Sequence, residues 1–291
     1  MRITFRPADL LSLCFIALLS VLTVFFLPLP AWGRLLGTYG LLALAVASLA
    51  VLEKRHGRSG RLSSLRPAAY VVIILVIFNS LGDLIPAVWP RTFDDVLIRI
   101  DFALFGVHPT LWLEKTIHPA LTAALQLAYI SYYFIPLSLG ALLVVKGRER
   151  ELEESLFGIV LCFYLSYVGY LLVPAVGPRF TLAHLQTAGL QAGPVTQAVQ
   201  GALNGLEHNK TDAFPSGHTA VALVTLFYAG KCREKALFRI LIPIVSSLIL
   251  STVYLRYHYV IDVLAGAMLA ALTILISPHV ERLLSPRKPL G

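Results

Sequence analysis

Apolar residues dominate eight stretches of this chain, at positions 9–29, 35–52, 68–88, 121–145, 155–174, 215–230, 238–255 and 259–277. A hydrocarbon core of about 30 Å takes roughly 20 residues of helix, and a backbone within it must satisfy its own hydrogen bonds. Each stretch therefore predicts a membrane-spanning helix, and the expected fold is all-α, a polytopic helical bundle. The expected organisation is two N-terminal transmembrane helices in residues 1–67, a six-helix core in 68–278 and a short tail in 279–291.

Two connecting segments are too long to be simple turns. In 91–120, Val96, Leu97, Ile100 and Leu104 share one helical face while Asp94, Asp95, Arg99 and Asp101 fall elsewhere, a pattern that predicts a helix lying along the membrane surface. In 174–214 a Gly- and Gln-containing stretch is followed by Glu207, His208, Asn209, Lys210 and Asp212, which we expect to shape an entrance.

Composition agrees with the pattern: 57% of residues are hydrophobic and 14% charged, with a mean hydropathy of +0.76. Soluble domains are usually about 45–50% apolar. The net charge of +8 sits in short loops rather than in one basic patch, so nucleic acid is not an expected partner. Of the 24 Lys and Arg residues, 17 fall in alternate inter-helix segments and 7 in the others, which predicts that both termini are cytoplasmic. The first apolar run is expected to be a retained anchor, since no small-residue cleavage site follows it. Cys14, Cys162 and Cys232 have no metal or redox spacing, and no disulfide is expected.

That topology brings three polar segments to one end of the bundle, on the outer face: Val173–Phe180, Ala213–Thr219 and Arg256–Asp262. Ionisable groups at membrane depth are costly and usually mark function. His258 and Asp262 are one helical turn apart, so the aspartate can orient the imidazole and leave its other nitrogen free to attack an electrophile. Pro215-Ser-Gly-His218 opens a helix, where free N–H groups and the positive dipole end favour an anion. His218 is placed there to protonate a leaving alkoxide, and Ser216 to bind a phosphate oxygen, with Gly217 allowing close backbone approach. Arg179 and Arg256 carry the planar forks that suit phosphate. Each feature has a plainer reading: a His–Asp pair that knits helices, a serine cap with an interfacial histidine, and arginines that snorkel to headgroups.

At these residues the chain resembles the type 2 phosphatidic acid phosphatase superfamily of membrane lipid phosphatases and phosphotransferases. The resemblance rests on Pro215–His218 and on His258 with Asp262, and it covers roughly the last six helices. It implies that His258 is the nucleophile, Asp262 its partner and His218 the acid. It also assigns Ser216, Gly217 and Arg179 to phosphate binding. Leu172 stands where the common first motif has a lysine, and Thr252 where the common last motif has an arginine, so two phosphate-binding cations are replaced. Arg256 is the candidate substitute for one of them. The wording around Tyr170–Arg179 and Tyr257–Asp262 is similar to the inositol phosphorylceramide synthase branch, which transfers phospho-headgroups between lipids.

The expected activity is hydrolysis of a lipid phosphate or diphosphate ester through a phosphohistidine on the periplasmic or lumenal face, with no metal or other cofactor. Transfer of a phospho-headgroup to an acceptor lipid is the alternative. Three further readings stay open: a metal enzyme using His218, His258 and Asp262, a lipid or ion transporter, and an inactive scaffold. Tyr129, Tyr132 and Tyr133 read as interfacial anchors, with substrate contact as the bolder option.

Overall fold

The computed structural model describes residues 5–56, 61–190 and 208–285, together with Gly193, Gly201 and Gly205. The tail beyond Ser285 and most of the middle of the expected entrance segment lie outside the described residues. Among the described residues twelve α-helical segments follow one another: α1 (Pro7–Phe26), α2 (Leu29–His56), α3 (Arg61–Val88), α4 (Asp94–Phe105), α5 (Pro109–Trp112), α6 (Pro119–Ile130), α7 (Phe134–Val145), α8 (Glu149–Leu172), α9 (Pro178–Thr181), α10 (Gly217–Lys231), α11 (Lys235–Tyr254) and α12 (Val260–Leu284).

Seven of the eight expected spans are long and apolar enough to cross a bilayer, counting α6 and α7 as one run across a short 3₁₀ turn at Ser131–Tyr133. The chain is an integral membrane protein built as an all-α bundle. The eighth expected span is α10, which at 15 residues is about 22 Å long and falls short of the core depth. It is short because its first turn, Gly217 to Thr219, starts inside the bundle, with every one of those residues buried.

The central helix is α8, 67% buried over its most apolar stretch where the other spans range from 22% to 39%. One face of it packs on α1–α3 through Phe157, Val160, Tyr164 and Tyr167, and the other on α10–α12 through Ile159 and Cys162. Phe15 of α1 stacks on Tyr164 with ring centroids 4.4 Å apart. At the end of the bundle away from the Val173–Phe180 segment, buried charges are paired, as an apolar surround requires. Arg6 donates to Glu53 at 2.9 Å, Arg66 bridges Asp9 and Glu53, and the Tyr70 hydroxyl donates to Asp9 at 2.7 Å. This knot fastens the N-terminal pair of helices to α3.

Helix α4 differs from its expected form. Asp95 and Arg99 are exposed, but Asp94 and Asp101 are each only 2% exposed, so two of the four polar residues point into the protein instead of away from it. At its far end α4 is followed by α5, and the axes of Asp94–Phe105 and Pro109–Thr116 meet at 62°.

Candidate active site

Three connections converge where α8, α10 and α12 meet, and backbone chemistry fixes each. After α8 the chain runs extended, and the Ala213 N–H donates to the Ala175 carbonyl at 2.9 Å beside an isolated bridge between Ala175 and Asp212. Gly177 has φ of 87°, and a Cβ there would collide with the Tyr257 carbonyl, so only glycine fits. Pro178 then opens α9 and sets Arg179 in its first turn.

The two buried carboxylates of α4 hold two of these connections in place. Asp94 accepts from the N–H groups of Val176 at 3.0 Å and Gly177 at 2.9 Å, and from the Tyr259 hydroxyl at 2.8 Å. Asp101 accepts from the N–H groups of Val260 and Ile261 at 2.9 and 2.8 Å, which satisfies the first free donors of α12. The polar residues expected to face solvent are thus the clamps that set Val176–Gly177 against Tyr259–Ile261.

Helix α10 starts on Ser216, whose Oγ accepts from the Thr219 N–H at 3.3 Å while its own N–H donates to the Asp262 carbonyl at 2.9 Å. A Cβ on Gly217 would strike the Tyr170 hydroxyl, so the close neighbour of this glycine is a tyrosine. His218, in the first turn, lies between Tyr129 and Tyr132, at ring-centroid distances of 4.7 and 4.3 Å. Tyr129 also stacks on Tyr257 at 4.3 Å. These tyrosines therefore wall the histidine, in addition to any anchoring at the interface.

His258 is buried, and its two nitrogens face different partners. Nδ1 lies 2.7 Å from the Ala213 carbonyl and 3.5 Å from Asp262 Oδ2. A carbonyl can only accept, so Nδ1 carries the proton, and the lone pair of the neutral ring is on Nε2. Nε2 faces His218 Nδ1 at 3.4 Å. Asp262 Oδ2 also accepts from the Tyr259 N–H at 2.8 Å, while Oδ1 has no hydrogen-bond partner among the described residues. The expected direct His258–Asp262 contact is thus a longer charge–dipole approach, and the tight bond is to a backbone carbonyl.

A cavity of about 200 Å³ opens beside these rings, lined among others by Arg179, Asn209, Lys210, His218, Tyr257 and His258. Pockets for whole drug-sized ligands usually hold about 300–1,000 Å³, so this volume suits a small polar group with any bulky remainder outside. The Arg179 guanidinium lies over the Tyr257 ring at 5.7 Å. Among the described residues no group of three His, Cys, Asp or Glu side chains is arranged to hold a metal ion.

Of the residues singled out from sequence, His258, His218 and Arg179 line the cavity and Asp262 supports His258 from behind. Ser216 and Gly217 are buried at the start of α10 and are not part of the cavity wall. Arg256 is committed elsewhere: it donates to Glu114 at 2.8 Å, to Gln186 Oε1 at 2.8 Å and to the Ala188 carbonyl at 2.6 Å. Arg256 takes a left-handed φ of 66° just after α11, and from there its side chain reaches Glu114, Gln186 and Ala188. Leu172 is 62% exposed, and the Thr252 carbonyl accepts the N–H groups of Tyr257 and His258. Ala213, Asn209 and Lys210 were not singled out as site residues. Of these, Asn209 and Lys210 had only their place in a polar cluster before the Pro-Ser-Gly-His turn to suggest them, and Ala213 acts through its backbone, which no side-chain pattern reports.

Among known proteins, the chain is 31% identical over 163 residues to a phosphoinositol dihydroceramide synthase of Bacteroides thetaiotaomicron. The aligned stretch is 50% of this chain and 51% of that relative, so the chain spans about half the length of the curated protein it matches. No solved structure matches it significantly. Residues 95–276, which run from within α4 into α12 and hold every side chain of the cavity, match the family model, and the chain belongs to the PAP2 superfamily.

Proposed function

We propose that this protein cleaves a lipid phosphoester through a phosphohistidine on His258 and passes the phospho-group to a hydroxyl. The single observation that carries the reading is the orientation of His258, whose Nδ1–H is held by the Ala213 carbonyl so that the Nε2 lone pair faces the cavity and His218. Membership of the PAP2 superfamily, with its lipid phosphatases and phosphotransferases, supports an enzyme of this kind.

In the first step Nε2 of His258 attacks phosphorus and the bond to the leaving alkoxide breaks. His218, charged at that moment, gives its proton to the departing oxygen from Nε2, the ring nitrogen that has no partner among the described residues. Arg179 and Lys210 hold phosphate oxygens, and the N-terminal end of α10 adds its dipole from below, which is the role left to Ser216 and Gly217. Asp262 stabilises the His258 cation as the N–P bond forms. In the second step His218 takes the proton of an incoming hydroxyl, whose oxygen attacks phosphorus and releases His258. No metal enters either step. Arg256 serves the loop instead of the phosphate.

Likeness to a protein named as a synthase favours a lipid alcohol over water as the second acceptor. The distribution of Lys and Arg supports a site on the periplasmic or lumenal side with both termini cytoplasmic. The test uses purified wild type and His258→Ala in detergent, a panel of lipid phosphates, diphosphates and phosphodiesters, and acceptor lipids and chelator each added or withheld. Products from wild type alone support the reading, and their dependence on the acceptor separates transfer from hydrolysis. Equal turnover by His258→Ala removes the nucleophile, and loss of wild-type activity on chelation removes the metal-free scheme.

A further inference from the structure

We infer that Asn209, outside every motif residue named above, is a phosphate-binding residue whose side-chain N–H groups donate to the substrate phosphate. The inference rests on the reading of the cavity as a phosphate site. Asn209 is 0% exposed yet lines the cavity together with Arg179, His218 and His258. Its Oδ1 accepts twice from Thr211, from the backbone N–H at 3.0 Å and from the hydroxyl at 2.9 Å. A backbone N–H can be met only by oxygen, so these contacts settle which end of the amide is which. Nδ2, with two N–H donors, is buried and has no partner among the described residues.

Buried donors without acceptors are rare because they forfeit their hydration and gain nothing in return. An acceptor-rich ligand arriving in the cavity removes that cost, and a phosphate offers oxygens that only accept. The donor is also preorganised. Thr211 holds the amide, and the segment before it is fastened to α3, where the His208 N–H donates to Asn79 Oδ1 at 3.0 Å and the His208 ring lies 3.2 Å from Asp83 Oδ1. Asp83 in turn pairs with Arg34 of α2 at 2.7 Å, so the N-terminal helices reach the cavity wall through this chain of contacts. Gly82 leaves the room His208 occupies, since a Cβ there would lie 2.6 Å from its ring.

The substitution also accounts for a gap in the motifs. Leu172 faces away from the cavity, and the Thr252 hydroxyl donates to the Ile249 carbonyl, so neither position supplies a phosphate donor. A neutral amide restores hydrogen bonds to phosphate without burying another charge, whose desolvation would be the larger cost.

The experiment is titration calorimetry of inorganic phosphate into the full-length protein in detergent. Asn209→Asp is the main variant, because it is isosteric, keeps an oxygen for Thr211 and replaces only the donors. Asn209→Ala is the second, and the thermal midpoint and elution volume of each report folding. A hydrogen bond to a charged acceptor predicts that the dissociation constant rises about ten- to hundredfold in Asn209→Ala, and further in Asn209→Asp, where carboxylate meets phosphate. His258→Ala removes the nucleophile and is read for turnover. Turnover of that variant therefore tests the chemistry, and phosphate affinity tests Asn209. Wild-type affinity in a folded Asn209→Asp protein, or no saturable phosphate binding by wild type, overturns the assignment.

Discussion

The Ala213 carbonyl oxygen lies 2.7 Å from Nδ1 of His258, closer than the Asp262 carboxylate at 3.5 Å. In acyl-transfer triads, where the carboxylate alone sets the tautomer, its conversion to the amide costs about 10⁴-fold in kcat. Here the carbonyl sets the tautomer and Asp262 contributes charge. We therefore expect Asp262→Asn to lower kcat by roughly 10²-fold, the scale of losing one electrostatic group, with the pH profile of the residual activity unchanged in shape. A loss of 10⁴-fold would return the tautomer to Asp262.

Arg256 and Glu114 form a pair whose side chains are 6% and 10% exposed. Removing one partner of a buried pair typically costs about 3–5 kcal/mol, because the other charge is stranded. Arg256→Ala is expected to lower the thermal midpoint by several degrees, and Glu114→Gln in the same chain to recover part of it. Phosphate affinity should stay within about threefold of wild type. A large loss of phosphate affinity with normal stability would make Arg256 a ligand after all.

Asp94 accepts three hydrogen bonds that align Val176, Gly177 and Tyr259. Asp94→Ala leaves two backbone donors buried without acceptors, at about 1–3 kcal/mol each. Both thermal stability and turnover should fall, and Gly177→Ala should give the same paired loss because the left-handed backbone and the Tyr257 carbonyl forbid a side chain. Stability intact with turnover lost would argue that Asp94 touches substrate.

Tyr129 packs flat against His218 on one side and Tyr257 on the other. Stacked rings position the acid through area and shape, so Tyr129→Phe should retain most activity and Tyr129→Ala should lose at least tenfold in kcat with a smaller change in KM. Parallel losses in both variants would shift the role to the hydroxyl.

At the opposite end, Glu234 accepts from Lys146 and Arg148, both at 2.6 Å. The Lys146 ammonium bond holds the carboxyl below its ordinary value of 4.5. A depressed folded value means the contribution to stability is complete above pH 4.5 and is lost as pH falls through the lower folded value. Wild type should therefore lose more thermal stability than Glu234→Gln between pH 6 and roughly pH 3. Identical pH dependence in the two would show that the pair contributes nothing.

Much of this protein was legible as a string. Apolar runs of bilayer length determined an all-α membrane bundle and seven of its spans, because a backbone in hydrocarbon must satisfy its own hydrogen bonds and continuous apolar runs of about 20 residues do so as helices. Spacing alone put His258 one turn from Asp262, and Pro215 with Ser216 announced a helix start, since caps and turns are local chemistry. Those signals brought His218, His258 and Arg179 to one cavity.

Tertiary structure decided what each polar group meets. The amphipathic pattern of α4 could not distinguish Asp95, which is solvated, from Asp94 and Asp101, which clamp distant backbone. Arg256 looked like a phosphate ligand until a left-handed turn directed it to Glu114. The partners that matter most, the Ala213 carbonyl on His258 and the Ile261 N–H on Asp101, are backbone groups, and every residue has one. Sequence names side chains and their local spacing, whereas the choice of backbone partner depends on how segments 45 to 160 residues apart are brought together by packing.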